Sequence, residues 1–168
     1  LLIVRINWFF KLTEDLNCDI IKEHILNSNT VGNLGVSPSF IAQAPTDGTD
    51  LQLVITSLKV ESGIDVTSAC LNEISYLLIS DANQKWVYFG GSGCQSADLD
   101  VREKSERSFK QIKDILDQAG LSFSDIVRQW NYVTDIVGQE SSDKGTRQNY
   151  QEFNEVRGKW YAQNGLTK

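Results

Sequence analysis

Histidine occurs once in the 168-residue chain, at position 24, and methionine does not occur at all. His24 lies among Leu16, Ile20, Ile21 and Ile25 at helical spacing, so it reads as the edge of an apolar face rather than as a ligand or base. A Ser-His-Asp triad and a His-rich metal site are therefore set aside. The lack of Met at position 1 implies that residue 1 is not the natural start. Cysteine is scarce as well: Cys18, Cys70 and Cys94 are far apart, with no C-x-x-C spacing. That argues against a disulfide framework or a zinc site and for reduced thiols in the cytoplasm. No apolar run is long enough to cross a membrane. The opening "LLIVRINWFF" is interrupted by Arg5 and Asn7 and reads as a buried strand, not as a span or a signal peptide.

Positive charge is in the minority. Sixteen Lys and Arg face 22 Asp and Glu, a formal net charge of −6, and the overall field repels nucleic acid. An anionic ligand would need a local Arg or Lys cluster. Paired carboxylates for acid–base work are not evident; Asp98 and Asp100 flank Leu99 before a helix and read as capping residues. The "GGSG" at 90–93 lacks a following Lys-Ser/Thr and the GxGxxG spacing, so glycines at the exit of a strand are the better reading.

What is present suffices for one compact unit: 40% of residues are hydrophobic and no low-complexity segment stands out. Residues 13–29 predict a helix with Thr13 as N-cap, and "VGNLGVSPS" a loop. "FIAQAPTDGTDLQLVITSLKV" predicts a strand, a turn around Pro45, Asp47 and Gly48, and a longer strand. Leu51, Leu53 and Ile55 lie on one face of that strand and Val54, Leu58 and Val60 on the other, as expected of a strand covered on both sides. "ESGIDVTSACLN" reads as loop. "EISYLLIS" and "KWVYFGG" around "DANQ" form a hairpin. Val101, Phe109, Ile112, Leu116 and Ala119 make the apolar stripe of a helix closed by Gly120. "SFSD" is a turn, "IVRQWNYVT" a strand, and 146–165 a second helix ending at Gly165. The fold expected is α+β, a mixed sheet with two helices packed on one face.

In "SDIVRQWNYVTDIVG", residues 124–138, strand alternation separates Arg128, Trp130, Tyr132 and Thr134 from Gln129, Asn131 and Val133. An anionic ligand calls for Arg, and Arg128 and Arg157 are the candidates. Arg157 shares a helical stripe with Tyr150, Phe153 and Trp160; the competing reading pairs it with Glu152 or Glu155. Tyr132 offers a hydrogen bond to a carboxylate or ether oxygen. The competing reading buries Trp130 and Tyr132 beneath the helices. Asp135 reads as closing the following turn.

The order "WVYFGGSG", "SFKQIKDILDQAG", "LSFSDIVRQ", "WNYVTDI", "NYQEFNEV", from about Glu73 onward, resembles the RidA/YjgF superfamily (endoribonuclease L-PSP-like). "FIAQAPTDGTDLQLVI", "RQWNYV" and "RQNYQEFNEVRGKWY" are similar to its chorismatase branch. The resemblance implies an N-terminal strand-rich segment with one helix (1–69) and a RidA-like unit (70–168). In that family further strands follow, so the unit is expected to be incomplete at its C-terminal end, a fragment or a partner to another chain. It implies an enzyme without metal or organic cofactor, a lyase or hydrolase acting on chorismate or a similar carboxylate. The wider superfamily implies an enamine/imine deaminase, and its members are also labelled endoribonucleases or translation inhibitors; a non-catalytic ligand-binding module is the remaining reading. A trimer-like homo-oligomer is implied as well. The substrate-binding candidates are Arg157, Tyr132, Arg128, Tyr150 and Asn131; catalytic residues are unassigned.

Overall fold

The computed structural model describes residues 1–13, 18–27, 35–93, 98–142 and 145–166. The chain divides into two compact units, Leu1–Gly91 and Ser92–Lys168. The class is α+β. Among the described residues no helix is long and apolar enough to cross a membrane.

In the first unit, β1 (Leu2–Phe10) is the central strand of a mixed sheet. It runs parallel to β2 (Ser39–Ile41) and antiparallel to β3 (Leu51–Leu58), with a register shift between Ile3 and Arg5. Strand β4 (Asp65–Leu71) pairs with β5 (Ile74–Ser80), and β5 with β6 (Lys85–Phe89), in an antiparallel sheet. Val4 and Ile6 of β1, Val36, and Leu77 and Ile79 of β5 form the buried core, so the apolar opening segment is a buried strand as its composition suggests. Helix α1 (Cys18–Asn27) places Lys22 5.8 Å from the centre of the Phe40 ring and leaves His24 exposed. Leu16 and the first turn after Thr13 lie outside the described residues.

Turn chemistry is local, and it was legible. Asp47 accepts from the Thr49 amide and hydroxyl, and Asp81 from the Asn83 and Gln84 amides. These hydrogen bonds hold both carboxyls below the ordinary aspartate range. Gly90 and Gly91 leave β6 where it passes Ser37–Ser39. A Cβ at Gly91 would stand 2.8 Å from the Pro38 carbonyl oxygen, and φ there is +70°. Glycine is required for that approach. Cys94 lies outside the described residues.

The second unit is built on helices α2 (Val101–Gln118) and α3 (Asn149–Gln163), with a hairpin of β7 (Gln139–Ser142) and β8 (Gly145–Gln148). Asp100 caps α2 in a capping box with Glu103, and Gly120 follows it at φ +68°. Phe109 and Phe123 are 1% and 2% exposed, and their rings lie 6.4 Å apart. Phe153, Trp160 and Tyr161 gather around Phe109 at 6.1, 6.2 and 6.1 Å between centroids. The interdigitated aromatics form the core of this unit.

Four expectations are corrected. Among the described residues, the single mixed sheet with two helices on one face is replaced by three separate sheets, of three, three and two strands. Strand β3 is an edge strand whose Leu51, Leu53 and Ile55 are 50%, 41% and 49% exposed, not a strand covered on both sides. The loop expected at 61–72 contains β4; its mostly polar start, with Val66 the one large apolar residue of Asp65–Ser68, gives little strand signal, and it is held by pairing to β5 through a tight turn at Asn72 and Glu73, both with positive φ. Finally, the second helix begins at Asn149, three residues later than its pattern suggests, because Gly145–Gln148 pair with β7.

Candidate functional site

Residues 126–133, expected as a strand, lie in no helix or sheet among the described residues. A short 3-10 turn, Phe123–Asp125, precedes them, and a turn at 134–137 follows. Two anchors tie this segment to α3. Near its start, Gln129 Oε1 accepts from the Tyr161 hydroxyl at 2.9 Å. Beyond its end, Asn149 Nδ2 donates to the Asp135 carbonyl at 2.9 Å, while the Asn149 and Tyr150 amides donate to the Gly138 and Ile136 carbonyls. The lengths agree. Asn149 to Tyr161 covers about 18 Å of helix, and residues 129–135 span about 20 Å when extended. The segment is thus drawn along α3, antiparallel to it.

Tyr150, Arg157 and Tyr161 fall on one flank of α3, at about 100° per residue, beside the row Asn149, Phe153, Val156 that is buried. Tyr161 shows that this flank meets the segment. Arg157 is half-buried, its guanidinium carbon 5.5 Å from the Phe153 ring centre. It does not pair with Glu152 or Glu155 among the described residues, because two other arginines occupy those carboxylates. Tyr150 is 48% exposed.

On the segment itself, Gln129 Nε2 donates to Asn131 Oδ1 at 2.6 Å, so a relay runs from Tyr161 through Gln129 to Asn131. Gln129 and Val133 are half-buried, while Arg128, Trp130, Asn131 and Tyr132 are exposed. The alternation read from the sequence is kept at Gln129 and Val133 but not at Asn131, which the sequence placed on their face. Trp130 and Tyr132, each 46% exposed, are not core aromatics. The Arg128 guanidinium carbon stacks 4.7 Å from the Trp130 ring centre, and among the described residues no carboxylate pairs with it. The five sequence-nominated residues thus form two groups. Arg128 and Tyr132 share the outward face; Asn131, Arg157 and Tyr150 lie on the α3 side or exposed beside it.

The residues missed by the sequence reading form an ion cluster. Arg102 Nε donates to Glu152 Oε2 at 2.7 Å, and its terminal nitrogen lies 2.6 Å from Glu152 and 3.0 Å from Glu155. Arg147 reaches the same two carboxylates at 3.0 and 2.5 Å. Burial would lower the Arg102 pKa, but hydrogen bonds with Glu155 and Glu152 outweigh it and hold the guanidinium charged. Glu106 lies nearby on α2. Burial would raise its pKa, yet Lys159 and the Trp160 indole N–H, both donating to it, bring it below the ordinary glutamate range. Every charge here is matched, which marks a clamp joining α2, β8 and α3 rather than a reaction centre. The i, i+3 spacing of Glu152 and Glu155 was visible; their pairing with Arg102, 50 residues away, and with Arg147 of the hairpin was not.

The turn after the segment requires glycine at 138. A Cβ there would stand 2.0 Å from Asp135 Oδ2 and 2.9 Å from the Asp135 carbonyl oxygen. The turn is closed by the Gly138 amide donating to that carbonyl, and Asp135 itself has φ +44°. Gly138→Ala is expected to cost about 1–3 kcal/mol. It should also speed hydrogen exchange at the Asn149 and Tyr150 amides, and unchanged exchange there would disprove the tie.

In the first unit, Leu58, Ile64, Ile79, Ser80, Asp81, Trp86 and Tyr88 line a shallow recess of about 160 Å³. Asp81 is committed to its turn. Among the described residues no group of three or more His, Cys, Asp or Glu could hold a metal ion. Comparison with protein-family models, with curated proteins and with solved structures gave no match.

Proposed function

We propose that the second unit binds a small planar carboxylate through Arg128, with Trp130 and Tyr132 as the apolar and hydrogen-bonding surroundings. One observation carries this: in a protein of net charge −6, an arginine with no carboxylate partner among the described residues lies stacked on an exposed indole. Stacking holds the guanidinium plane while leaving its N–H fork available to a ligand carboxylate. An unsaturated or aromatic ring would lie against Trp130, and the Tyr132 hydroxyl would donate to an ether or second carboxylate oxygen.

The sequence resemblance supplies the substrate class. We take the chain to be a RidA-like protein nearest the chorismatases, working in the cytoplasm on chorismate or a similar carboxylate, with the deaminase chemistry of the wider superfamily as the alternative. A binding module without catalysis is favoured by a specific feature: Arg, Trp and Tyr on the outward face include no carboxylate or imidazole to move a proton near neutral pH.

Trp130 supplies the readout. Chorismate or benzoate should quench its fluorescence, and Arg128→Ala should weaken binding about tenfold or more, the loss expected for a charge-assisted pair. No quenching, or equal affinity in the variant, would refute the Arg128 site. Pyruvate released from chorismate, followed by a coupled assay, supports the chorismatase reading; ammonia from 2-aminoacrylate supports the deaminase; binding with neither supports the module.

A further inference from the structure

The recess in the first unit adjoins its apolar core. Ile79 belongs to that core, and Leu58, Ile64 and Tyr88 pack against it. Trp86, the remaining large apolar residue of the wall, is 42% exposed. In the β5–β6 register Trp86 stands opposite Ile79 and Tyr88 opposite Leu77, so the two rings share one face of β6. Ser80 and Asp81 complete the wall. No lysine or arginine lines it, and Lys59, next to Leu58, lies 3.6 Å from Glu61.

The turn at 81–84 fixes both a charge and a ring beside this recess. Asp81 Oδ1 accepts from the Asn83 and Gln84 amides at 2.7 and 2.8 Å, and the Asp81 amide donates to the Gln84 carbonyl at 3.0 Å. Both side-chain bonds use Oδ1, so the turn engages one carboxylate oxygen of the two. The amide donors also keep the group ionised, below the ordinary aspartate range. The Gln84 side-chain oxygen accepts from the Trp86 indole N–H at 3.2 Å, which holds the ring by its edge and leaves its π face for contact.

Two aromatic rings, three aliphatic side chains and one fixed negative charge suit a ligand that is apolar in surface and positive in charge. A methylated ammonium meets both demands, its methyl groups on the apolar wall and its charge attracted by the ring faces and by Asp81. A metal ion does not, because one carboxylate among apolar walls cannot replace its oxygen ligands. The recess of about 160 Å³ is about five times the 30 Å³ share of a liquid water, which suits a compact head group. The net charge of −6 draws cations toward the protein.

We propose that this recess binds a small organic cation with a methylated ammonium head, held by Trp86, Tyr88 and Asp81. The site lies in the other unit from Arg128 and does not depend on the carboxylate reading.

Tetramethylammonium chloride is the probe, titrated into the full chain with ionic strength held constant by sodium chloride. The Trp86 indole N–H resonance, identified as the one missing in Trp86→Phe, should shift saturably with a Kd on the order of 1 mM. tert-Butanol has nearly the same shape without the charge and should bind about tenfold more weakly. Asp81→Asn keeps an acceptor for the turn amides and removes the charge, so the Kd should rise about two- to fivefold. Arg128→Ala should leave it unchanged. No saturable shift at Trp86 by about 20 mM, where a site of this affinity is filled, overturns the proposal. Equal binding of the neutral isostere also overturns it, leaving a plain apolar dent, as does an unchanged Kd in Asp81→Asn.

Discussion

Phe109→Ala is expected to destabilise the second unit by about 3–5 kcal/mol. Phe109 is 1% exposed and its ring lies within 6.1–6.4 Å of those of Phe123, Phe153, Trp160 and Tyr161. Its removal takes away the ring that the other four share, and two helices with one hairpin have few further contacts with which to close the void. The unfolding midpoint of this unit should fall by at least about 10 °C in near-UV circular dichroism. Trp130→Ala is the control. That residue is larger but 46% exposed, and its loss should stay within about 0.5 kcal/mol. If both substitutions cost the same, the aromatic cluster is not the core of this unit.

The second large effect is expected from Glu152→Ala. Its side chain is 6% exposed, accepts from Arg102 and lies 3.0 Å from an Arg147 guanidinium nitrogen; the two arginine side chains are 31% and 25% exposed. Removing the carboxylate leaves two guanidinium groups sharing Glu155, with part of their charge uncompensated away from water. Breaking a buried pair from one side costs about 3–5 kcal/mol, and the partial exposure of the arginines places this case near about 3. Glu155→Ala, at a carboxylate 38% exposed, should cost no more than about 1 kcal/mol. Urea denaturation gives both values. Equal costs would mean that burial of Glu152 does not matter. Glu106 adds a pH dependence. Its folded pKa lies below its ordinary value despite burial, because Lys159 and Trp160 donate to it. Its contribution is therefore complete above the ordinary glutamate range and is lost as pH falls through the lowered one. The stability gap between wild type and Glu106→Gln should close on acidification.

The elements recovered from the sequence share one property: their determinants are close together in the chain. The stripe from Val101 to Ala119, the Asp100 cap, Gly120 and the "DANQ" turn each rest on residues a few positions apart. The errors share the opposite property. Strand β4 gives little strand signal at its mostly polar start and is held by its pairing with β5. The segment 126–133 alternates in its sequence, but among the described residues it lies in no sheet, so the local pattern led to a wrong strand. For Arg157, the spacing showed its helical stripe but not that Arg102 and Arg147 would claim Glu152 and Glu155.

By itself, then, the amino-acid sequence determined the class of the fold, the two long helices and the turns around Asp47 and Asp81. These follow from backbone sterics, capping and local hydrogen bonding, all of short range. Only the tertiary structure decided which strands pair, which charges neutralise each other, and which residues of 126–133 are exposed, Asn131 among them. Those outcomes depend on groups tens of residues apart competing for the same partners. Tyr161 and Asn149 hold the segment by its Gln129 side and its far end, and that is why Arg128, Trp130 and Tyr132 face outward.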